Sequence, residues 1–99
     1  IFTGREITAE TAQEWGLVNG VFTAGSLLEE TLNLAEEIAR NSPYAVTCAK
    51  RSVNGGREML LEEALEWERS LFGECGESLD RKEGMTAFLE KRPRVFTGE

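Results

Sequence analysis

The chain has 99 residues, 29% of them charged and 40% hydrophobic, enough for one small domain with a thin core. Its formal net charge of −7 excludes a general nucleic-acid binder, which would carry a basic field. With no histidine, and with Cys48 and Cys75 as the two cysteines, neither a zinc site nor a disulfide framework is expected.

Two reduced thiols in a cytosolic protein are the expected state of Cys48 and Cys75. No apolar run approaches the ~20 residues that span a bilayer, and no signal-peptide pattern is present. The chain begins with Ile1 rather than methionine and reads as cut from something longer. Charge is unevenly spread. Residues 1–80 hold 6 basic and 15 acidic side chains, whereas residues 81–99 hold 5 basic and 3 acidic. The tail is therefore the one local region that would welcome an anion.

Residues 1–7 are apolar-edged, broken by Gly4, like the end of an element that starts earlier. Thr8 suits the N-cap of a short helix over Ala9 to Trp15, with Glu10 in its first turn and Gly16 as its stop. Leu17 to Phe22, with its Asn19-Gly20 pair, reads as an extended or turn segment. Ser26-Leu27-Leu28-Glu29 reads as a capping box that starts a second helix running to about Arg40. Leu28, Leu32, Ala35 and Ala39 form its apolar stripe, and Leu27, Leu34 and Ile38 widen it. Asn41 can end it.

Ser42-Pro43 restarts helix at once, serine as N-cap and proline at the first helical position. Ala45, Val46, Ala49 and Val53 line this third helix, which is expected to stop at Asn54-Gly55-Gly56. Lys50 and Arg51 read as a solvated face. A fourth helix is expected from about Leu60 to Phe72, with Leu61, Ala64, Leu65, Leu71 and Phe72 inside and Glu62, Glu63, Glu66 and Glu68 outside. Trp67 widens the apolar face and suggests a contact with a partner. Gly73 to Gly76 reads as a loop.

The fifth helix contains Glu83 to Arg92 and reads as amphipathic. Ser78 is its N-cap candidate and Asp80 lies in its first turn. Met85, Phe88 and Leu89 make an apolar stripe. Lys91 and Arg92 are expected to close the last turn, where cations suit the helix dipole, before Pro93 ends it. The sum is an all-α chain of about five helices, one of them short, with no visible domain boundary or repeat.

No catalytic constellation is visible. Histidine is absent, as are G-x-S-x-G, P-loop and G-x-G-x-x-G patterns. Glu62, Glu63 and Glu66 read as a solvated helix face, and neither thiol has an adjacent base in sequence. Phe88 and Lys91, three apart, share a helix face. A ring for stacking and an ammonium for a phosphate would suit the end of a nucleotide. On spacing alone, a buried phenylalanine beside a solvated lysine is the better explanation.

The order of motifs resembles the C-terminal part of the enoyl-CoA hydratase/isomerase (crotonase) family. The stretches that carry the resemblance begin with Phe2-Thr3-Gly4-Arg5-Glu6-Ile7-Thr8-Ala9 and Gly16-Leu17-Val18. They continue with Ala35-Glu36-Glu37-Ile38-Ala39, Ser42-Pro43, Ala49-Lys50, Val53-Asn54 and Leu61-Glu62-Glu63. They end with Asp80-Arg81-Lys82-Glu83-Gly84-Met85 and Ala87-Phe88-Leu89-Glu90-Lys91-Arg92. The match covers essentially the whole chain, and the order and spacing of its short motifs make it specific.

The resemblance implies that residues 1–99 are the helical, trimer-forming C-terminal region of a crotonase-like α/β spiral fold, whose N-terminal ββα core lies upstream. It implies an enzyme that hydrates a 2-enoyl-CoA to a 3-hydroxyacyl-CoA in fatty-acid oxidation. Backbone N–H groups would form the oxyanion hole, and a pair of glutamates would move protons. None of the glutamates here matches those catalytic positions. By the same resemblance, Phe88 and Lys91 meet the CoA adenine and phosphates, and Phe72 lines the acyl-tail end. Acyl-CoA is then substrate, with no separate cofactor and no metal. The complete enzyme is a cytoplasmic homotrimer or dimer of trimers, with no nucleic-acid or membrane partner. Leu60 departs from the family's usual hydroxyl cap, as do Gly76 and Leu79 from its usual residues. The same region serves related isomerases, dehalogenases, decarboxylases and hydrolases, and a free-standing helical oligomerisation module would show the same stripes.

Overall fold

The computed structural model describes residues 2–99; Ile1, the start of the apolar-edged stretch above, lies outside them. The described residues form five helices and no strand: α1 (Ala9–Glu14), α2 (Leu27–Ala39), α3 (Pro43–Gly56), α4 (Leu61–Gly76) and α5 (Leu79–Glu90). They fall into two compact units, one ending at Glu36 and the other running from Glu37 to Glu99, so the division lies inside α2.

In the first unit, Thr8 caps α1 as its side chain predicts, its hydroxyl accepting from the Thr11 N–H at 3.1 Å. The helix ends in a Schellman turn. Gly16 takes φ 72°, its N–H reaches the Gln13 carbonyl at 2.9 Å, and the Leu17 N–H reaches the Ala12 carbonyl at 2.8 Å. Ser26 precedes α2, its carbonyl accepting from the Glu30 N–H at 3.0 Å. Its hydroxyl does not complete the expected capping box. It turns back to the Thr23 hydroxyl at 2.8 Å, while Thr23 Oγ1 accepts the Ser26 N–H at 3.3 Å. A threonine three residues earlier competes for the same short side chain.

In the second unit, Asn41 ends α2 by donating its side-chain amide to the Glu37 and Ile38 carbonyls at 3.1 and 3.3 Å. Ser42 then caps α3, accepting from the Ala45 N–H at 3.0 Å, with Pro43 at the first helical position. This helix ends, as expected, in the Asn54-Gly55-Gly56 run, with Gly56 its last residue, and both glycines lie against α4. A Cβ on Gly55 would come within 2.7 Å of Trp67 Nε1, and one on Gly56 would meet the Ala64 methyl at 3.5 Å. These glycines let two helices approach.

Trp67 is therefore a contact between α3 and α4 within the chain. Its Nε1–H donates to the Arg51 carbonyl at 3.2 Å, and the Arg51 guanidinium lies 5.7 Å from the ring centroid. Arg51 is likewise more than part of a solvated face. It pairs with Glu74 at 2.6 Å, and Glu74 also accepts from the Tyr44 hydroxyl at 3.2 Å. The Arg51 hydrogen bond holds the Glu74 carboxyl below its ordinary pKa. These ties carry α4 past the expected end at Phe72 and through Gly73 to Gly76, where a loop was expected.

Leu60 has no oxygen with which to cap α4; only the returning half of a capping box forms, Glu63 Oε2 accepting the Leu60 N–H at 3.2 Å. Leu71, 2% exposed, and Cys48 are the buried apolar pair of the α3–α4 layer, and Ala87 is buried on α5. The expected inner residues Leu61, Leu65 and Phe72 remain exposed, as do Leu27, Leu28, Leu32, Leu34 and Ile38 of α2.

Candidate functional site

Ser78 starts α5 as expected, its Oγ accepting the Arg81 N–H at 3.1 Å. The helix is not the one-sided amphipathic element that Met85, Phe88 and Leu89 suggested. Those three are exposed, and the buried residues are Ala87 and Asp80. The helix also ends earlier than expected, at Glu90, so its last turn contains neither Lys91 nor Arg92.

Lys91 is the C-cap, in the left-handed region at φ 54° and ψ 38°. Its N–H reaches the Phe88 carbonyl at 3.3 Å, and the Arg92 N–H reaches the Ala87 carbonyl at 3.0 Å. This is the same Schellman geometry that closes α1, with lysine at the position Gly16 holds there. Pro93, two residues on, cannot continue the helix, and the chain turns back along α5.

The returning tail is held by three carboxylates of α5. Glu83 accepts both arms of the Arg92 guanidinium, Nη1 to Oε1 at 2.6 Å and Nη2 to Oε2 at 2.8 Å. Glu83 Oε1 also accepts the Val95 N–H at 2.9 Å. Arg92 Nε meets Glu90 at 2.7 Å. The Arg92 hydrogen bonds, with the Val95 amide next, pull the Glu83 pKa down to about 2. Farther along, the Phe96 ring lies 3.5 Å from where a Cβ on Gly84 would stand. Asp80, 2% exposed, accepts the Thr97 N–H at 2.8 Å and the Gly98 N–H at 3.1 Å. Its other oxygen accepts the Ser42 hydroxyl at 2.6 Å, tying the start of α3 to the start of α5 and to the tail. Burial pushes the Asp80 pKa up, but the Ser42 hydroxyl and the two amides outweigh it and leave the group below its ordinary value.

This clamp decides which cations face outward. Arg92 is occupied by two carboxylates and Arg94 lies over Phe96, 5.6 Å from the ring centroid. Lys91 has no side-chain partner among the described residues. Phe88, three residues before it, is 83% exposed and borders a depression of about 280 Å³ with Gly84, Ala87, Arg92 and Pro93. The Phe88 ring is thus accessible and not buried, and the Lys91 N–H reaches the Phe88 carbonyl, while the cations that border the depression are Arg92 and Arg94. The structure does not bring Phe72 to them. Phe72, 80% exposed, borders a separate groove of about 390 Å³ between α3 and α4, with Ala49, Val53 and Leu71.

Both cysteines line that groove as free thiols. Burial pushes the Cys48 pKa up, with Glu74 adding to the effect, which keeps the thiol protonated and inert. No group of three metal-ligating side chains exists among the described residues. Asp80, Glu83 and Arg92 are the residues that sequence reasoning missed as a unit. The i, i+3 spacing of the two acids was a signal that they share a face, but nothing local foretold that the tail would return to it.

The family model described as "Enoyl-CoA hydratase/isomerase" matches residues 1–99. The 2,3-dehydroadipyl-CoA hydratase of Escherichia coli K12 is 42% identical over 99% of this chain and 38% of its own length. The mitochondrial enoyl-CoA hydratase of Pongo abelii is 44% identical over 97% of this chain and 33% of its own length. The crystal structure of enoyl-CoA hydratase from Bacillus anthracis superposes with a TM-score of 0.94 at 39% identity, over 100% of this chain and 38% of that one. The chain thus spans little more than a third of the length of these relatives. On the full-length family match and the agreement of fold, this chain belongs to the enoyl-CoA hydratase/isomerase family, as a helical C-terminal segment of it.

Proposed function

We propose that this segment forms the nucleotide-binding edge and part of the subunit interface of an enzyme that adds water across the double bond of a 2-enoyl-CoA. The product is a 3-hydroxyacyl-CoA. The observation that carries the reading is an exposed Phe88 ring three residues before Lys91, a cation with no side-chain partner among the described residues. The ring would stack on adenine, the ammonium would meet CoA phosphate, and Phe72 would border the acyl tail.

The oxyanion-hole amides and the acid/base glutamates belong to the rest of the enzyme in this reading, so the segment alone does not turn over substrate. Acyl-CoA is substrate, and no separate cofactor takes part. The exposed leucines of α2 supply apolar surface for a homotrimer or a dimer of trimers. No described helix is long and apolar enough to cross a membrane; the reading places the enzyme in fatty-acid oxidation in the cytoplasm.

The test is Lys91→Ala in the complete enzyme. Loss of one charge-assisted phosphate contact should raise KM for the CoA ester by roughly tenfold and leave kcat within about twofold. An unchanged KM sinks the reading. Hydratase turnover by the isolated segment would sink the assignment of the chemistry elsewhere.

A further inference from the structure

We propose that Glu83 and Arg92 are positioning residues for the nucleotide end of the CoA ester, acting through Lys91. The inference rests on the Phe88–Lys91 reading above. Lys91, Arg92 and Arg94 lie together, and by charge alone any of them could meet a phosphate. The structure separates their roles. Arg92 gives both guanidinium arms to Glu83 at 2.6 and 2.8 Å and its Nε to Glu90 at 2.7 Å, while Arg94 covers Phe96. A forked guanidinium matched to a carboxylate in this way is fixed in orientation as well as charge.

Lys91 is held differently. Its backbone is left-handed, a conformation that L side chains hold only where their surroundings over-determine it. The surroundings here are the Arg92 N–H bond to Ala87, the Arg92 side chain on Glu83, and the Val95 N–H on the same carboxylate. Glu83 therefore grips the chain on the far side of Lys91 at two points. With that grip released, the turn would sample right-handed conformations, and the ammonium would lose its fixed direction. The clamp consumes one cation internally to aim its neighbour outward.

Glu83→Gln in the complete enzyme tests this, read with two substrates. One is a 2-enoyl-CoA; the other is the matching pantetheine thioester, which lacks the adenine nucleotide. Glu83→Gln should raise KM three- to tenfold for the CoA ester, leave kcat unchanged, and leave KM for the pantetheine thioester unchanged. Arg92→Gln should do the same, and Arg92→Lys, which keeps the charge without the fork, should fall between it and the parent. The opposing model makes Arg92 itself the phosphate ligand. It predicts that Glu83→Gln frees the guanidinium and lowers KM for the CoA ester, and that result would overturn the proposal. Equal rises in KM for both substrates would also overturn it, as general damage. If Lys91→Ala raises KM and Glu83→Gln does not, the positioning role fails while the Lys91 reading stands. If Lys91→Ala has no effect, both fall.

Discussion

The Trp67 indole lies directly over Gly55, close enough that a Cβ there would stand 2.7 Å from Nε1, while Nε1–H donates to the Arg51 carbonyl at 3.2 Å. The neighbouring glycine has ordinary room, its nearest neighbour on α4 being the Ala64 methyl at 3.5 Å. Two adjacent helical glycines therefore predict opposite signs. Gly55→Ala should destabilise by about 1–3 kcal/mol, because the ring must shift and its hydrogen bond is lost. Gly56→Ala should be neutral or stabilise by up to ~1 kcal/mol, through helix propensity. Urea unfolding of the two variants decides; equal effects would show that the indole is not seated as described.

Lys91 occupies the left-handed position that Gly16 occupies at the end of α1. Lysine there costs about 1–2 kcal/mol relative to a residue without a Cβ. In the complete enzyme, Lys91→Gly should stabilise the fold by about 1 kcal/mol, while Lys91→Ala should give no such gain. If Lys91 serves the CoA phosphates, Lys91→Gly also raises KM, so stability and binding move in opposite directions. Calorimetry and initial rates on the same variant check both halves.

Glu83 has a folded pKa of about 2 against an ordinary 4.5, and the Asp80 value is also lowered. Both groups are easier to ionise folded than unfolded. Their stabilisation is therefore complete above the unfolded carboxylate range and disappears as pH falls through the folded values. The urea midpoint should drop between about pH 4.5 and pH 2, and Glu83→Gln should flatten that part of the profile. A Glu83→Gln variant as acid-sensitive as the parent would remove Glu83 from the explanation.

Cys48 is buried with its thiol pKa pushed up, whereas Cys75 is partly exposed at the same groove. A thiol reagent at pH 8 should label Cys75 first, by an order of magnitude or more, and the two rates should converge in denaturant. Faster labelling of Cys48 would contradict its burial.

The sequence made the local structure legible where the determinant was local. Thr8, Ser42 and Ser78 each cap the helix that their side chain predicts, with Pro43 at the first position of α3 and Gly16 closing α1. Reading failed where a distant residue changed the meaning of a local signal. Gly73 read as loop, but Arg51 and Tyr44 hold Glu74 in a continuing helix. Phe88 and Lys91 were paired on helical spacing, but Lys91 lies past the end of α5 in a left-handed turn. Arg92 was grouped with Lys91 because charge is visible in sequence and pairing across nine residues of backbone is not.

The tail that returns along α5 is gripped by its main chain, since Asp80 and Glu83 take the amide hydrogens of Thr97, Gly98 and Val95. Main-chain amides are common to every residue except proline. The route of residues 95–98 is thus written largely in α5, with the Phe96 ring against Gly84 and the Thr97 side chain on Asp80 adding to it. Most replacements at Val95 would keep the path, while a proline there would delete one of its donors. Gly98, at φ 84°, is a further position where the tail's own spelling matters.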